Sequence, residues 1–162
     1  MLPKIEDILI ATDLSANSDN ALRYALSIAQ ANKASLHVLH VTEPLSQDAM
    51  VTMQMFMQDD VSRKEAIKNR HSAVKQLLKA NQKEFVKTLS AGEKDAYASV
   101  SSVELVDGHP AEEILMRAKK LNCGLIVMGT HEHGTGHTFL GTVVKRVLRR
   151  SNIPTMVVPH TL

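Results

Sequence analysis

Five short apolar segments recur along the chain, and stretches with helical spacing separate them. They are residues 8–11, 36–41, 100–106, 125–128 and 156–158. The first, fourth and fifth are almost continuously apolar, which is typical of strands covered on both faces in a parallel sheet. Helical patterns begin near Ser15 and Ser18, at Pro110 and near Val143. This alternation predicts an α/β fold in which right-handed crossovers connect the strands of a parallel sheet.

Residues 43–99 interrupt the alternation, because they form a segment much longer than an ordinary crossover. The spacing of apolar residues in its second half predicts an amphipathic helix over residues 60–89, followed by a loop at residues 92–98. The first half holds Met50, Met53, Met55 and Met57. We favour packing of these side chains in the core or against a helix end over a lid or a docking surface. The whole chain, 1–162, is then one domain with a helical excursion.

Composition narrows the class of protein. Of the 162 residues, 44% are hydrophobic and 22% are charged, an ordinary globular balance. A formal net charge of only +2, with 3% aromatic residues and no tryptophan, argues against a nucleic-acid-binding protein.

The single cysteine, Cys123, excludes an internal disulfide and is expected to be buried. No apolar run approaches the roughly 18 residues that span a membrane, and no signal peptide precedes the domain, so we expect a cytoplasmic protein.

Candidate binding residues follow two of the apolar segments. The first segment ends in Thr12, Asp13 and Ser15, and the fourth continues into residues 129–142, which hold four glycines and lead directly into a helix. Glycines allow close approach to a ligand, and the free N–H groups of a helix start, here near Thr142, favour an anion. Asp13 would accept hydrogen bonds from ribose hydroxyls or hold a Mg²⁺ ion. The alternative is that Asp13 only caps the first helix and that the glycines only form a loop.

Other chemistry has weaker support in the sequence. A P-loop would need lysine at Thr135, and a dinucleotide-binding motif would need glycine at Phe139. His131, His133 and His137 surround Glu132 and offer metal ligands, but their spacing matches no fixed ligand motif. No arrangement of nucleophile and base is evident. The remaining histidines are interpreted as packing or surface residues: His37, His40, His71, His109 and His160.

Taken together, these residues in this order resemble the universal stress protein family. The resemblance covers nearly the whole chain, and the segments that carry it are residues 8–15, 39–41, 106–111, 125–131, 140–142 and 153–159. It implies five parallel strands in the order 3-2-1-4-5, with helices on both faces of the sheet. It also implies a homodimer joined through the last strand, Thr155 to Pro159, where an exposed edge invites pairing.

Some members of the family bind ATP, and the resemblance implies a nucleotide-binding stress-response protein that acts as a sensor or regulatory module, with an unknown protein partner. Any ATP hydrolysis would be slow, so an enzyme is not expected. In this chain Asp13 matches the ribose side, the backbone of Val41 the adenine side, and Gly129, Gly141 and Thr142 the phosphate loop. The resemblance thus implies ATP as the cofactor, bound alone or together with Mg²⁺. The predicted binding residues are Ala11, Thr12, Asp13, Val41, Met128, Gly129, Thr130, His131, Gly134, Gly136, Gly141, Thr142 and Val143.

Two departures from the family pattern keep an alternative open. Glu132 stands at the second glycine position, and the interval from Gly129 to Gly141 is one residue short. Gly134 and Gly136 offer a different path for the loop. The alternative function is therefore a dimeric stress adaptor that has lost its ligand.

Overall fold

The computed structural model describes residues 1–132 and 138–160, with the backbone alone at 131–132 and 138–139. Strands and helices alternate as the apolar pattern predicts. The strands are β1 (Asp7–Ala11), β2 (Ser35–Thr42), β3 (Val100–Asp107), β4 (Leu125–Gly129), β5 (His131–Glu132), β6 (Thr138–Phe139) and β7 (Thr155–Val158). The helices are α1 (Ala16–Asn32), α2 (Gln47–Phe56), α3 (Asp60–Thr88), α4 (Ala91–Tyr97), α5 (Pro110–Lys120) and α6 (Thr142–Arg150).

Five strands form one parallel sheet in the order β3-β2-β1-β4-β7, which confirms the predicted order. The chain reverses direction across the sheet between β1 and β4, because β2 and β3 lie on one side of β1 and the later strands lie on the other. Ile8 of β1 pairs with Leu36 on one side and Leu125 on the other. The carboxyl ends of β1, β2 and β4 therefore meet at one edge of the sheet.

Helices cover both faces of this sheet, as the apolar strands require. On one face α1 buries its alanine and leucine stripe together with Phe85 of α3 and Ala96 of α4. On the other face α5 and α6 bury Ile114, Ala118 and Val147. The predicted helix starts at Ser15 and Pro110 are confirmed as well, since Ser15 caps α1 and Pro110 occupies the first turn of α5.

The prediction of a loop at residues 92–98 is wrong, because helix α4 occupies residues 91–97. Ser90 and Glu93 form a capping box: the Glu93 carboxylate accepts a hydrogen bond from the Ser90 amide at 2.8 Å. This bond lowers the pKa of Glu93 below its usual range, with a smaller effect of nearby Arg23. The capping pair stabilises a short helix that a glycine at its second position would otherwise disfavour.

The predicted long helix is confirmed as α3, and all of its buried residues lie in its second half. Its buried residues are Leu78, Gln82 and Phe85. The favoured interpretation of the methionine segment is wrong, because α2 has no buried residue. Phe56, the last residue of α2, is 83% exposed.

The buried thiol of Cys123 gives a first testable prediction. Its side chain is 5% exposed, and burial, with a smaller effect of Asp7, raises the pKa of Cys123 from 9.0 to about 11. We expect native protein at about pH 8 to react with a thiol reagent far more slowly than urea-unfolded protein. Because the folded pKa is the higher one, stability from the neutral thiol is complete below the unfolded pKa and is lost as the pH rises toward 11. Equal labelling rates of native and unfolded protein would contradict burial of this side chain.

Candidate functional site

A cavity of about 370 Å³ opens at the sheet edge where the carboxyl ends of β1, β2 and β4 meet the starts of α5 and α6. Its volume falls within the range of small-molecule sites, about 300–1,000 Å³. Ten of the thirteen predicted binding residues line this cavity. They are Ala11, Thr12, Asp13, Val41, Met128, Gly129, Thr130, Gly141, Thr142 and Val143. The fold thus brings together four stretches of the chain, residues 11–13, 41, 128–130 and 141–143.

The other three predicted residues belong to the segment of sequence between β4 and α6. Gly134 and Gly136 lie outside the residues that the structure describes, as do His133 and His137. His131 lies in β5, and the structure describes its backbone alone. Where the sequence predicted one glycine-rich loop, β5 and β6 form a two-stranded antiparallel ribbon in which His131 pairs with Phe139.

The turn between β1 and α1 fixes the position of Asp13. One carboxylate oxygen of Asp13 accepts hydrogen bonds from the Ser15 amide at 3.0 Å and from the Ser18 hydroxyl. The Asp13 amide donates to the Ser18 hydroxyl oxygen at 3.0 Å. Leu14 adopts the left-handed region with φ of 66°, which closes the turn. The helix cap itself is Ser15, so Asp13 shapes the turn while its exposed side chain lines the cavity.

Asn17 joins the start of α1 to the end of β4. It is 7% exposed, and its side-chain amide donates a hydrogen bond to the Thr130 carbonyl oxygen. A Cβ on Gly129 would lie 3.0 Å from the Asn17 amide nitrogen. Gly129 therefore has a packing role, since it allows α1 to approach the strand. Within the described residues the side-chain oxygen of Asn17, Oδ1, has no hydrogen-bond partner.

Thr130 connects the cavity to the edge strand. Its amide donates to the Val158 carbonyl at 3.0 Å, and its hydroxyl oxygen accepts from the His160 amide at 3.0 Å. This hydroxyl thus extends the pairing of β4 with β7 by another residue. Because its carbonyl oxygen accepts from Asn17, each polar group of Thr130 has a partner within the chain.

His40 lines the cavity, although the sequence indicated only a packing or surface role for it. Its Nδ1 lies 2.7 Å from the Thr12 carbonyl oxygen. Because a carbonyl oxygen can only accept, Nδ1 is the donor in this hydrogen bond. The position of His40 at the carboxyl end of β2, beside Val41, is the signal that would have found it. Asn17, Ser18, Glu43 and Ile114 are further lining residues that the sequence did not single out.

The start of α6 supplies the main-chain donors of the site. Gly141 precedes the first turn, and no side chain of the described residues caps this helix. Its first amides thus have no intrahelical partner and favour an anion. The charged side chains that line the described cavity, Asp13 and Glu43, are both acidic, and no lysine or arginine is among the described lining residues. Main-chain amides are therefore the groups of the described lining that would favour an anion.

The metal-site alternative receives no support from the described residues. Across 1–132 and 138–160 there is no group of three or more His, Cys, Asp and Glu side chains placed to hold a metal ion. Two of the three histidines on which that alternative depended lie outside these residues.

A row of three polar side chains near the amino ends of β1, β2 and β3 was not evident from the sequence. His37 bonds through Nδ1 to the Ser102 hydroxyl at 2.8 Å and through Nε2 to the Asp7 carboxylate at 2.9 Å. These are the residue types of a nucleophilic triad. The adjoining depression has essentially no accessible volume, however. The row therefore serves to connect three neighbouring strands rather than to receive a substrate.

The sheet order, the reversal at β1 and β4, and the cavity at that reversal define an open, doubly wound α/β protein. Such folds bind ligands beyond the carboxyl ends of the strands, where this cavity lies.

The chain belongs to the universal stress protein family, whose model matches residues 4–159. It is 32% identical to universal stress protein YxiE of Bacillus subtilis, over 93% of this chain and 97% of that protein. It is 29% identical to universal stress protein MJ0531 of Methanocaldococcus jannaschii, over 93% of this chain and 80% of that protein.

Solved structures share the fold. A structure of the protein MJ0577 superposes with a TM-score of 0.69 at 22% identity, covering 99% of each chain. A universal stress protein in complex with cAMP gives 0.60 at 19% identity, over 97% of this chain and 98% of that one. The Archaeoglobus fulgidus protein in complex with dAMP gives 0.59 at 16% identity, over 94% and 97%. In the described part of the chain, no helix has the length and apolar character needed to cross a bilayer.

Proposed function

We propose that this protein binds an adenine nucleotide, ATP with Mg²⁺, in the cavity at the carboxyl edge of the sheet and acts as a homodimeric stress-response sensor. The observation that carries the proposal is the convergence of Asp13, Val41 and the start of α6 on one cavity of suitable size. The complexes of two structural neighbours with cAMP and dAMP support an adenine nucleotide.

Each part of the ligand has a chemical counterpart in the cavity. The backbone of Val41 and the apolar side chains of Ile114 and Met128 suit a flat, largely apolar base. The Asp13 carboxylate accepts hydrogen bonds, as ribose hydroxyls require. The amides at Thr142 and Val143 suit phosphate oxygens.

The acidic lining is the reason to include a cation in the proposal. Asp13 and Glu43 both repel phosphate, and no basic side chain among the described lining residues offsets them. Mg²⁺ prefers carboxylate and phosphate oxygens, so Asp13 is the residue that would share such an ion with the ligand. The bound Mg²⁺ would neutralise part of the negative charge of the phosphates.

The dimer would form through β7. Among the described strands β7 pairs only with β4, so its outer edge, from Thr155 to Pro159, is open to a second copy. The hydrogen bonds of Thr130 to Val158 and His160 connect this edge to the cavity. Nucleotide occupancy and dimer pairing would thus act on neighbouring residues.

The acidic lining also favours the second candidate function, a dimeric adaptor without nucleotide. The two functions are distinguished by whether purified protein carries nucleotide. We expect absorbance at 260 nm and mass spectrometry after denaturation to show an adenine nucleotide. After its removal we expect isothermal titration with Mg-ATP to give saturable heat that Mg-GTP does not reproduce. Absence of both signals at millimolar nucleotide would leave the adaptor.

A further inference from the structure

The small net charge of the chain conceals a strongly basic helix. α3 holds eight basic and three acidic residues, a formal charge of +5, which leaves −3 for the remainder of a chain whose total is +2. The first half of α3 has no buried residue, because the three buried residues of the helix all lie in its second half. In the first half, Arg70 donates to the Glu43 carbonyl and His71 lies 2.9 Å from the Asp107 carboxylate, whereas the lysines of this helix are exposed. Most of this charge is therefore accessible to a partner.

Six lysines form a stripe along α3. Their spacing of four or seven residues places them on one side of the helix. They are Lys64, Lys68, Lys75, Lys79, Lys83 and Lys87, and all are exposed. Lys87 pairs with Glu84 at 2.6 Å, whereas no acidic side chain in the described ranges forms an ion pair with the other five. At about 1.5 Å per residue the lysine stripe extends roughly 35 Å.

Exposed apolar side chains adjoin the amino-terminal end of the lysine stripe. Phe56 is 83% exposed at the end of α2, and Val61 is 74% exposed in the first turn of α3. The Arg63 guanidinium donates to the Met57 carbonyl at 2.8 Å and thereby holds the end of α2 against the start of α3. Val61 precedes Lys64 by three residues, so these two side chains share one side of α3.

We propose that the lysine stripe and this apolar end form a surface for peripheral binding to an anionic lipid membrane. Lysines lying along one helix attract an anionic leaflet, and exposed apolar side chains beside them insert at its headgroup boundary. A duplex nucleic acid would use the lysines but offers no partner for Phe56 and Val61. The acidic remainder of the chain would be repelled, which orients α3 toward the lipid.

The test measures co-sedimentation of the full chain with phosphatidylcholine vesicles that contain phosphatidylglycerol, and with phosphatidylcholine vesicles alone. We expect binding to the anionic vesicles only, with partitioning that falls as salt rises. The variant K68Q/K75Q/K79Q is expected to lose about a hundredfold in partitioning, since each lysine near an anionic surface contributes severalfold.

The matched control K94Q/K119Q/K120Q removes the same charge from exposed lysines outside α3. It is expected to bind as the unmodified chain does. A second variant, F56S/V61S, keeps every charge and is expected to weaken partitioning by removing the inserting groups. Circular dichroism establishes that all three variants retain the fold.

Three outcomes would overturn the proposal. They are no binding to the anionic vesicles at low salt, an equal loss in the two lysine triples, and partitioning of F56S/V61S equal to that of the unmodified chain. Tight binding of a labelled DNA duplex without vesicle binding would likewise assign the lysine stripe to nucleic acid.

Discussion

Replacing Thr142 with proline is expected to lower the affinity for Mg-ATP about ten- to a hundredfold. A hydrogen bond to a charged group contributes about 1.5–3 kcal/mol, and proline deletes the Thr142 N–H that the proposed phosphate site uses. The helix itself should tolerate the change, because the first helical position accepts proline. Gly141 before it is already extended, with φ of −59° and ψ of 163°, as a residue before proline must be. Isothermal titration calorimetry measures the affinity.

Thr142→Ala is the matched control, because it removes the hydroxyl and keeps the amide. We expect it to reduce affinity much less than T142P does, with both variants unfolding near the temperature of the unmodified chain. Equal affinities of T142P and the unmodified chain would show that the start of α6 does not hold the phosphates. A large loss in T142A would instead assign the interaction to the hydroxyl group.

Replacing Phe85 with alanine is expected to lower the free energy of unfolding by about 3–5 kcal/mol. Phe85 is 2% exposed and packs between α3 and the sheet. Its ring lies 6.2 Å from the Tyr97 ring and 5.4 Å from the Arg23 guanidinium. The substitution leaves a cavity where α1, α3 and α4 meet, so urea denaturation should show a lower midpoint.

Phe56→Ala is the matched control for Phe85→Ala, because both residues lie in the helical segment 43–99. Because Phe56 lies on the exposed side of α2, its loss should change stability by no more than about 0.5 kcal/mol. Similar losses in the two variants would contradict the finding that only the second half of α3 belongs to the core.

The sheet could be predicted from the sequence because burial on both faces requires continuous apolar strands. Ile8 and Ile126 show this directly, since both are fully buried in neighbouring strands. The strand order, by contrast, came from the resemblance to a family, because apolar patterning does not distinguish which strands are neighbours. α4 was missed because Gly92 indicates a loop, whereas the capping box at Ser90 and Glu93 decides for a helix.

The candidate site was predictable where a strand end or a helix start marks it, as at Asp13 and Thr142. Asn17, inside α1, was missed because its role depends on contact with Thr130, more than a hundred residues later. The methionines of α2 misled the prediction because apolar spacing is the same whether a helix faces the core or solvent. What distinguishes the two is whether another element covers the helix, and no local pattern encodes that.

The central claim is that an adenine nucleotide occupies the cavity at the carboxyl edge of the sheet. Its most direct test is the amide NMR spectrum of the labelled chain during titration with Mg-ATP. We predict saturable shifts at Val41, Thr142 and Val143, with the amides of Lys79 and Lys83 in α3 unchanged. An unchanged spectrum at millimolar nucleotide, or saturable shifts confined to α3, would contradict it.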